Sequence, residues 1–471
     1  MAQKNDTQML LVAMLICLGI VGFGGWWFLH RGGETLLPGN TPTSVNSDEE
    51  TAEIPVEERL SEGGKLLISQ GATVEKEQGM AAMATGDWQS AIRELEASLA
   101  KKPNDPEALI YLNNARIGNQ NSYTIAALVP ITSQLDSAQE LLRGVAQAQT
   151  EINQKGGIKG TPIRIIIGDD SNDGEVATDI ARSLVADDRV LGAIGHFSSQ
   201  VSLAAAEIYQ SGELVAISPT STSVDLSKAG SYIFRTVPSD RFTGSTLSRY
   251  LLQTLEKQKV AIFYNSESNY SQSLTDAFTT SLLADGGETV AEFDLSSMMF
   301  NPSSSVKQAI AQGAEAIVFA TDSTVLDSAL DAIAANDGQL PLLGGDSLYK
   351  ATVLEQAGEQ AEGMVVTIPW HILANLDSPF TQSSRQLWKG DVNWRTALAY
   401  DALSTLAVAM NAEPTRSGIQ QALSARDLQV NGASGEIHFL PSGDRNQALQ
   451  LVKIEAGDRT GLGYDFVPID E

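Results

Sequence analysis

The sequence predicts an α/β fold with two lobes, each built on a parallel sheet doubly wound with helices. Short apolar segments alternate with helix-length segments from residue 123 onward, which is typical of parallel sheets covered on both faces. Residues 122–471 are too many for one sheet and enough for two. The candidate strands are at 125–129, 163–167, 190–194, 214–217, 260–264, 289–293, 316–320, 342–343, 364–368 and 449–454. A helix predicted at 137–153 places Leu141, Leu142, Val145, Ala148 and Ile152 on one face.

The chain begins with an apolar segment that is long enough to cross a bilayer. Residues 9–29 carry no charge, and the segment ends in Trp26 and Trp27, which suit a membrane interface. A cleavable signal peptide has a shorter apolar core and a small-residue cleavage site. We therefore predict a single-pass anchor at residues 1–31 that stays uncleaved. The weak charge bias of its flanks places the bulk of the chain on the extracytoplasmic (periplasmic) side of the cell membrane.

Two short regions separate this anchor from the α/β region. Residues 32–62 are rich in glycine, proline, hydroxyl and acidic residues, which predicts a flexible acidic linker. Residues 63–117 are predicted to be helical, with Gly86 and Asp87 at a turn and with Pro103 and Pro106 between the second and third helices. This segment resembles a tetratricopeptide repeat, a unit that cannot bury its apolar face alone. It is either a spacer that packs on a neighbouring domain or a surface for a protein partner or self-association.

Composition and motifs argue against several classes of function. The net charge of −27 does not suit nucleic-acid binding, and a single cysteine, Cys17, excludes intrachain disulfides and cysteine-based zinc sites. The sequence has no zinc-protease helix motif, nucleophile elbow or phosphate loop. His196 lies beside two serines, but no orienting acid is evident. A calcium-like loop that begins at Asp169 has Ile180 where a glutamate is required. We expect neither an enzyme nor a metal or cofactor site.

Clusters of hydroxyl residues follow two of the predicted strands, those at 190–194 and 214–217. A helix can begin after each cluster, so hydroxyls and free backbone amides would meet beyond the carboxyl ends of neighbouring strands. This arrangement predicts a site for a small anionic or zwitterionic molecule, although the same hydroxyls could be ordinary helix caps. The candidate residues are Ser198 and Ser199 in the first cluster, and Thr220, Ser221 and Thr222 in the second.

A series of short motifs runs along the α/β region, at residues 151–160, 169–170, 194–196, 217–219, 234–240, 361–364 and 399–402. In this order they resemble the type I periplasmic solute-binding proteins of ABC importers, in the leucine/isoleucine/valine-binding branch. The resemblance covers residues 122–471, and the ligand-binding lobes of metabotropic glutamate receptors are similar in the same way. It implies lobe one at 122–238 and 371–430, lobe two at 239–368 and 436–471, and three crossovers near 238–241, 368–370 and 429–435. Ligand would bind between the lobes and close them by a hinge motion.

The resemblance also implies roles for the candidate residues. The two hydroxyl clusters would hold the carboxylate of the ligand, and Tyr270 would cover it. Asp346 would bind an ammonium group, with Asp322 as the second choice, although both acids could instead be helix caps. The implied function is capture of a small zwitterion, most simply an amino acid, and its delivery to an ABC permease. The alternative is a ligand sensor or scaffold that signals through the helical segment without transport.

The sequence departs from the family in three respects. Ser171 and Ser198 stand where the branched-chain-type proteins carry a cysteine pair. No acid occurs at 298–300, and no aromatic residue occurs at 133–138, where the family has each. These differences leave the ligand open among amino acids, short amides, urea-like compounds and other small carboxylates. We expect selectivity to come from lobe two, around Tyr270, Met298, Met299 and Asp346.

Overall fold

The computed structural model describes residues 54–469 of the chain. The anchor predicted at residues 1–31 lies outside the described residues, as does most of the predicted linker. Between residues 54 and 469, no helix combines the length and the apolar character that crossing a membrane requires.

The described chain begins with a short helix and strand that belong to the folded structure. Strand β1 (Leu60–Ser61) follows helix α1 (Val56–Arg59) and pairs antiparallel with Gly168 and Ile167. The last residues of the expected linker are therefore part of a sheet. Three helices follow within residues 63–117: α2 (Val74–Ala84), α3 (Trp88–Lys101) and α4 (Pro106–Ile117).

Lobe one is built on a six-stranded sheet in the spatial order β1-β3-β2-β4-β5-β6. Its strands after β1 are β2 (Tyr123–Val129), β3 (Ile163–Asp169), β4 (Val190–Ile194), β5 (Ala216–Ser218) and β6 (Ile233–Arg235). The connecting helices are α5 (Leu135–Gln154), α6 (Gly174–Ala186) and α7 (Ser199–Ser211). Strands β2 to β6 are parallel, so their carboxyl ends meet at one edge of the sheet.

Lobe two is built on a seven-stranded sheet in the order β15-β14-β11-β10-β9-β7-β8. Strands and helices alternate through residues 240–368 of this lobe. The strands are β7 (Lys259–Tyr264), β8 (Glu288–Asp294), β9 (Ala316–Ala320), β10 (Leu342–Gly344) and β11 (Val365–Ile368). The helices are α8 (Asp240–Arg249), α9 (Asn269–Ala284), α10 (Pro302–Ala311), α11 (Leu326–Asn336) and α12 (Ala351–Ala357). The chain then returns to lobe one as α13 (Pro379–Trp388), α14 (Trp394–Ala412) and α15 (Arg416–Leu423). A small hairpin of β12 (Val430–Gly432) and β13 (Gly435–Ile437) precedes β14 (Gln450–Ala456) and β15 (Tyr464–Pro468).

The predicted α/β fold is confirmed, but the expectation of wholly parallel sheets is wrong. Strand β1 is antiparallel to β3 in lobe one, and β14 and β15 are antiparallel additions to the edge of lobe two. Antiparallel neighbours need no crossover helix, so these strands attach directly to an edge of each sheet.

Buried polar contacts fasten the last crossover to lobe one. Nε of Arg235 donates a 2.8 Å hydrogen bond to Oδ1 of Asp444, and both residues are almost fully buried. Arg445 lies 3.7 Å from Asp401 of α14, whose carboxylate also accepts from the amide of Ser434. Residues up to Arg445 therefore contact lobe one, and the chain re-enters lobe two at β14. This crossover comes later than the expected 429–435.

Helix α4 joins the helical segment to lobe one through a fully buried asparagine. Nδ2 of Asn114 donates to the carbonyls of Glu62 and Ile165 at 2.9 and 2.8 Å. Its Oδ1 accepts from the amide of Ile165 at 3.1 Å and from Nε2 of Gln149 at 2.9 Å. This side chain thus continues the edge pairing of β3 beyond β1, which supports the interpretation of the segment as a packing spacer. The tetratricopeptide assignment and self-association through the segment stay predictions.

Candidate ligand-binding site

A cavity of 380 Å³ lies between the lobes, where the carboxyl ends of the parallel strands face each other. Lobe one contributes residues that follow β3, β4 and β5, together with the start of α14. Lobe two contributes residues that follow β7, β9 and β10. The lining includes Asn172, Phe197, Ser198, Ser199, Gln200, Thr220, Trp394 and Arg395 from lobe one, and Asn265, Glu267, Ser268, Tyr270, Asp322, Ser323, Thr324, Asp346 and Ser347 from lobe two.

The wall from lobe one presents hydroxyl donors at the amino terminus of α7. Oγ of Ser198 accepts from the amide of Val201 at 3.4 Å, and Oγ of Ser199 accepts from the amide of Ser223 at 3.2 Å. Because each oxygen is used as an acceptor, each hydroxyl proton remains to donate to a ligand. The helix terminus adds a favourable field for negative charge. This wall can hold a carboxylate.

The second hydroxyl cluster divides between the cavity and the core. Thr220 lines the cavity, but its hydroxyl donates to the carbonyl of Phe197 at 2.7 Å, so its oxygen is left to accept. Ser221 is buried, with its hydroxyl 2.7 Å from that of Ser202. Thr222 is buried with them, and neither Ser221 nor Thr222 is among the residues that line the cavity. The sequence could not distinguish them, because adjacent loop residues can point in opposite directions.

The wall from lobe two carries an acid that is held by a tyrosine. The hydroxyl of Tyr270, near the start of α9, donates a 2.7 Å hydrogen bond to Oδ1 of Asp346, which follows β10. Burial raises the pKa of Asp346, while this hydrogen bond and the charge of Arg395 act in the opposite direction. A Cβ added at Gly345 would meet the Tyr270 hydroxyl, so glycine is required there for the pair to form. The pair can receive an ammonium group.

Asp322 also lines the cavity, but its Oδ1 already accepts three hydrogen bonds within lobe two. It accepts from the amide and the hydroxyl of Thr324 at 2.9 and 2.6 Å, and from Nδ2 of Asn265 at 3.3 Å. It therefore caps the short helix that begins at Ser323. Of the two acids predicted from the sequence, Asp346 is the better placed to bind a cation.

The comparison with known families agrees with this geometry. The model of the periplasmic binding protein family matches residues 122–459. The chain belongs to the periplasmic binding protein family.

Relatives of this periplasmic binding protein are found among amino-acid-binding proteins. The leucine-specific-binding protein of Salmonella typhimurium is 28% identical over 302 residues, which cover 62% of this chain and 78% of that protein. A leucine binding protein from Thermotoga maritima has the same fold, with a TM-score of 0.63 and 22% identity over 74% of this chain and 98% of that one. A substrate-binding protein of an ABC transporter from Desulfitobacterium hafniense, solved in complex with Leu, has a TM-score of 0.62 and 25% identity over 74% of this chain and 100% of that one. The relatives named here are binding proteins rather than enzymes.

Among the cavity residues of this periplasmic binding protein that the sequence did not indicate are Trp394 and Arg395. Trp394 and Arg395 open helix α14, and the guanidinium of Arg395 lies 4.4 Å from the centre of the Trp394 ring. Helix α14 is far along the chain from the hydroxyl clusters, so sequence proximity gave no signal. An arginine beside a tryptophan after the Asn393 cap was the only local hint.

His196 is part of a buried network rather than a catalytic pair. Its Nδ1 lies 2.6 Å from Oδ2 of Asp170 and its Nε2 lies 3.1 Å from the hydroxyl of Tyr209. All three side chains are buried. The acid that the sequence did not reveal is therefore present, but both ring nitrogens are engaged away from Ser198 and Ser199. The network therefore lies within the core of lobe one.

Proposed function

We propose that this chain captures an amino acid between its lobes and hands it to an ABC-type permease as an anchored, extracytoplasmic solute-binding protein. The observation that carries the proposal is the placement of two complementary walls across one cavity. Hydroxyl donors at Ser198 and Ser199 face the acid of the Tyr270–Asp346 pair. A zwitterion satisfies both walls at once, because its carboxylate meets the donors and its ammonium meets the acid. The amino-acid-binding relatives support the same ligand class.

Lobe closure is the step that would present the ligand to a permease. The cavity is bordered by both lobes, and the contacts between the lobes include the amide of Val224, which donates to Oγ of Ser273 at 2.9 Å. A ligand that binds both walls favours the closed state over the open one.

Isothermal titration of the full chain with a panel of amino acids tests the binding. Saturation with a ligand at about 100 times its dissociation constant should also stabilise the fold by roughly 2.7 kcal/mol. If no amino acid produces heat or a thermal shift, the proposed ligand class is wrong. Delivery is tested by measuring uptake of the labelled ligand in cells that lack the chain and in the same cells after it is re-expressed. Re-expression of the native chain should restore uptake, and re-expression of a chain without Asp346 should not.

A second candidate is a sensor that signals through the helical segment. One observation favours it: Asn104, just before α4, borders a further cavity of 450 Å³ together with Tyr349 and Lys350 of lobe two. Movement of lobe two would change this gap, so the segment could register closure. The sensor would be favoured if the protein binds an amino acid but cells that lack the chain take up that amino acid at the normal rate.

A further inference from the structure

The ligand cavity adjoins a larger space of 880 Å³ that is also lined by both lobes. The two spaces share Asn172, Ser323, Thr324 and Arg395 as lining residues. A ligand bound between the hydroxyl wall and Asp346 therefore lies beside this space, and we expect its side chain to extend toward it. The charged residues that line the larger space therefore help to decide which ligand side chain is preferred.

Three cationic side chains from both lobes line the larger space. Arg143 comes from α5 and Arg395 from α14 of lobe one, whereas Lys350 precedes α12 of lobe two. Clustering of three cations is notable in a chain with a net charge of −27.

Among the described residues, only Arg395 of these three cations is paired directly with a carboxylate. Nη1 of Arg395 lies 3.2 Å from Oε2 of Glu140, but its buried Nε has no hydrogen-bond partner among the described residues. Nζ of Lys350 donates to Oγ of Ser323 at 2.7 Å, and Nε of Arg143 donates to Oδ1 of Asn104 at 2.5 Å. Within residues 54–469, neither Lys350 nor Arg143 has a carboxylate within 4.0 Å. Asp136 and Glu140 also line the space, and their charges, with that of Asp322, act on the pKa of Lys350 in the direction opposite to burial and Arg395.

The lysine is close enough to Arg395 for their charges to repel. Burial, followed by the charge of Arg395, lowers the pKa of Lys350 to about 8. An anion bound between them would reverse the second effect and favour the protonated lysine. An anionic ligand would therefore reduce the repulsion between these two cations.

We propose that Arg395 and Lys350, supported by Arg143, form a subsite for an anionic group on the side chain of the ligand. This inference rests on the proposed function, since the amino and carboxyl groups of the same ligand occupy the two walls described above. The preferred ligands are amino acids whose side chains carry a carboxylate or a similar anion. A branched aliphatic side chain would leave the arginine desolvated and only partly paired, which is costly.

Glutamate and glutamine provide a matched pair of probes because they differ mainly in the charge of the side chain. Titration of the full chain should give a dissociation constant for glutamate at least about tenfold lower than for glutamine or leucine, as expected for charge-assisted hydrogen bonds. Added sodium chloride should reduce the difference. Equal or tighter binding of glutamine or leucine overturns the inference and leaves the proposed function intact.

Lys350→Met tests the residue directly, with Lys307→Met as the control. Lys307 is an exposed lysine of α10 in the same lobe. Lys350→Met should bring the glutamate-to-glutamine ratio close to one, whereas Lys307→Met should keep it. A Lys350→Met variant that weakens both ligands equally contradicts the subsite. Thermal unfolding of each variant checks that the fold is retained, and Lys350→Arg should preserve the preference if charge is what matters. If no amino acid binds the native chain, the proposed function fails and this inference fails with it.

Discussion

Tyr270 holds one oxygen of Asp346 with a 2.7 Å hydrogen bond, although the two residues lie 76 positions apart in the chain. Both follow or begin elements of lobe two, and both line the cavity. The bond fixes the carboxylate and helps to keep it ionised despite its burial. An ammonium group therefore meets an acid that is already oriented.

Asp346→Asn should weaken binding of an amino acid by about tenfold or more, because a charged hydrogen bond contributes about 1.5–3 kcal/mol. Titration calorimetry measures the change. Asp322→Asn is the matched control, since that carboxylate is used by Thr324 and Asn265. If Asp322→Asn reduced the affinity more than Asp346→Asn, Asp322 rather than Asp346 would be the residue that binds the ammonium group.

Ser199→Ala and Thr222→Val should separate the cavity wall from the core behind it. Ser199 lines the cavity and can donate to a carboxylate, so its loss should reduce affinity by about tenfold. Thr222 does not line the cavity, so Thr222→Val should change the binding free energy by no more than about 0.5 kcal/mol. Comparable losses for both would show that the cavity extends deeper than described.

Asp240 should make the stability of the protein fall as the pH rises toward neutrality. Burial raises its pKa from 3.8 to about 7. Between these values the unfolded chain has lost the proton that the folded chain retains, so the free energy of unfolding decreases with pH and levels off above about 7. The decrease amounts to about 1.4 kcal/mol for each pH unit within this interval.

The Asp240→Asn variant lacks this titration. Its free energy of unfolding, compared with that of the native chain, should therefore rise by a few kcal/mol as the pH is raised from 4 to 7. Urea unfolding at several pH values provides the measurement. A difference between native and variant chains that is independent of pH would contradict the assignment.

Asn114→Ala should destabilise the helical segment and lobe one together. The substitution leaves the amide and carbonyl of Ile165 without their partner in a buried place, at about 1–3 kcal/mol for each unsatisfied group. Thermal unfolding should show the loss, whereas Asn119→Ala, at an exposed position just after the segment, should be neutral. If α4 unfolds separately from lobe one in hydrogen exchange, the two are not one cooperative unit.

The sequence predicted the parts of the fold that local patterns encode. Strands such as β4 and β9 are continuous apolar runs that are buried on both faces, and their bounds were predicted without error. Strand β6 was missed because it has three residues and ends in Arg235, a charge whose burial depends on Asp444 as its ion-pair partner. That partner is distant in the chain, so no local pattern could reveal it.

The candidate site was predictable to a similar degree. Ser198, Ser199, Thr220, Tyr270, Asp322 and Asp346 are brought to one cavity, because each follows a strand whose carboxyl end faces the cleft. Ser221 and Thr222 are directed into the core by loop geometry that composition does not encode. Arg395 comes from a helix of the returning chain, so its place in the cavity depends on the crossover topology.

The pairing of β1 and Asn114 with β3 has a practical consequence for dividing the chain. A fragment that begins at residue 122 would lack both partners and would present an open strand edge to solvent. Such edges invite pairing between molecules and aggregation. Expression of the binding domain alone should accordingly start upstream of residue 54, and poor behaviour of a shorter fragment would reflect the cut rather than the ligand site.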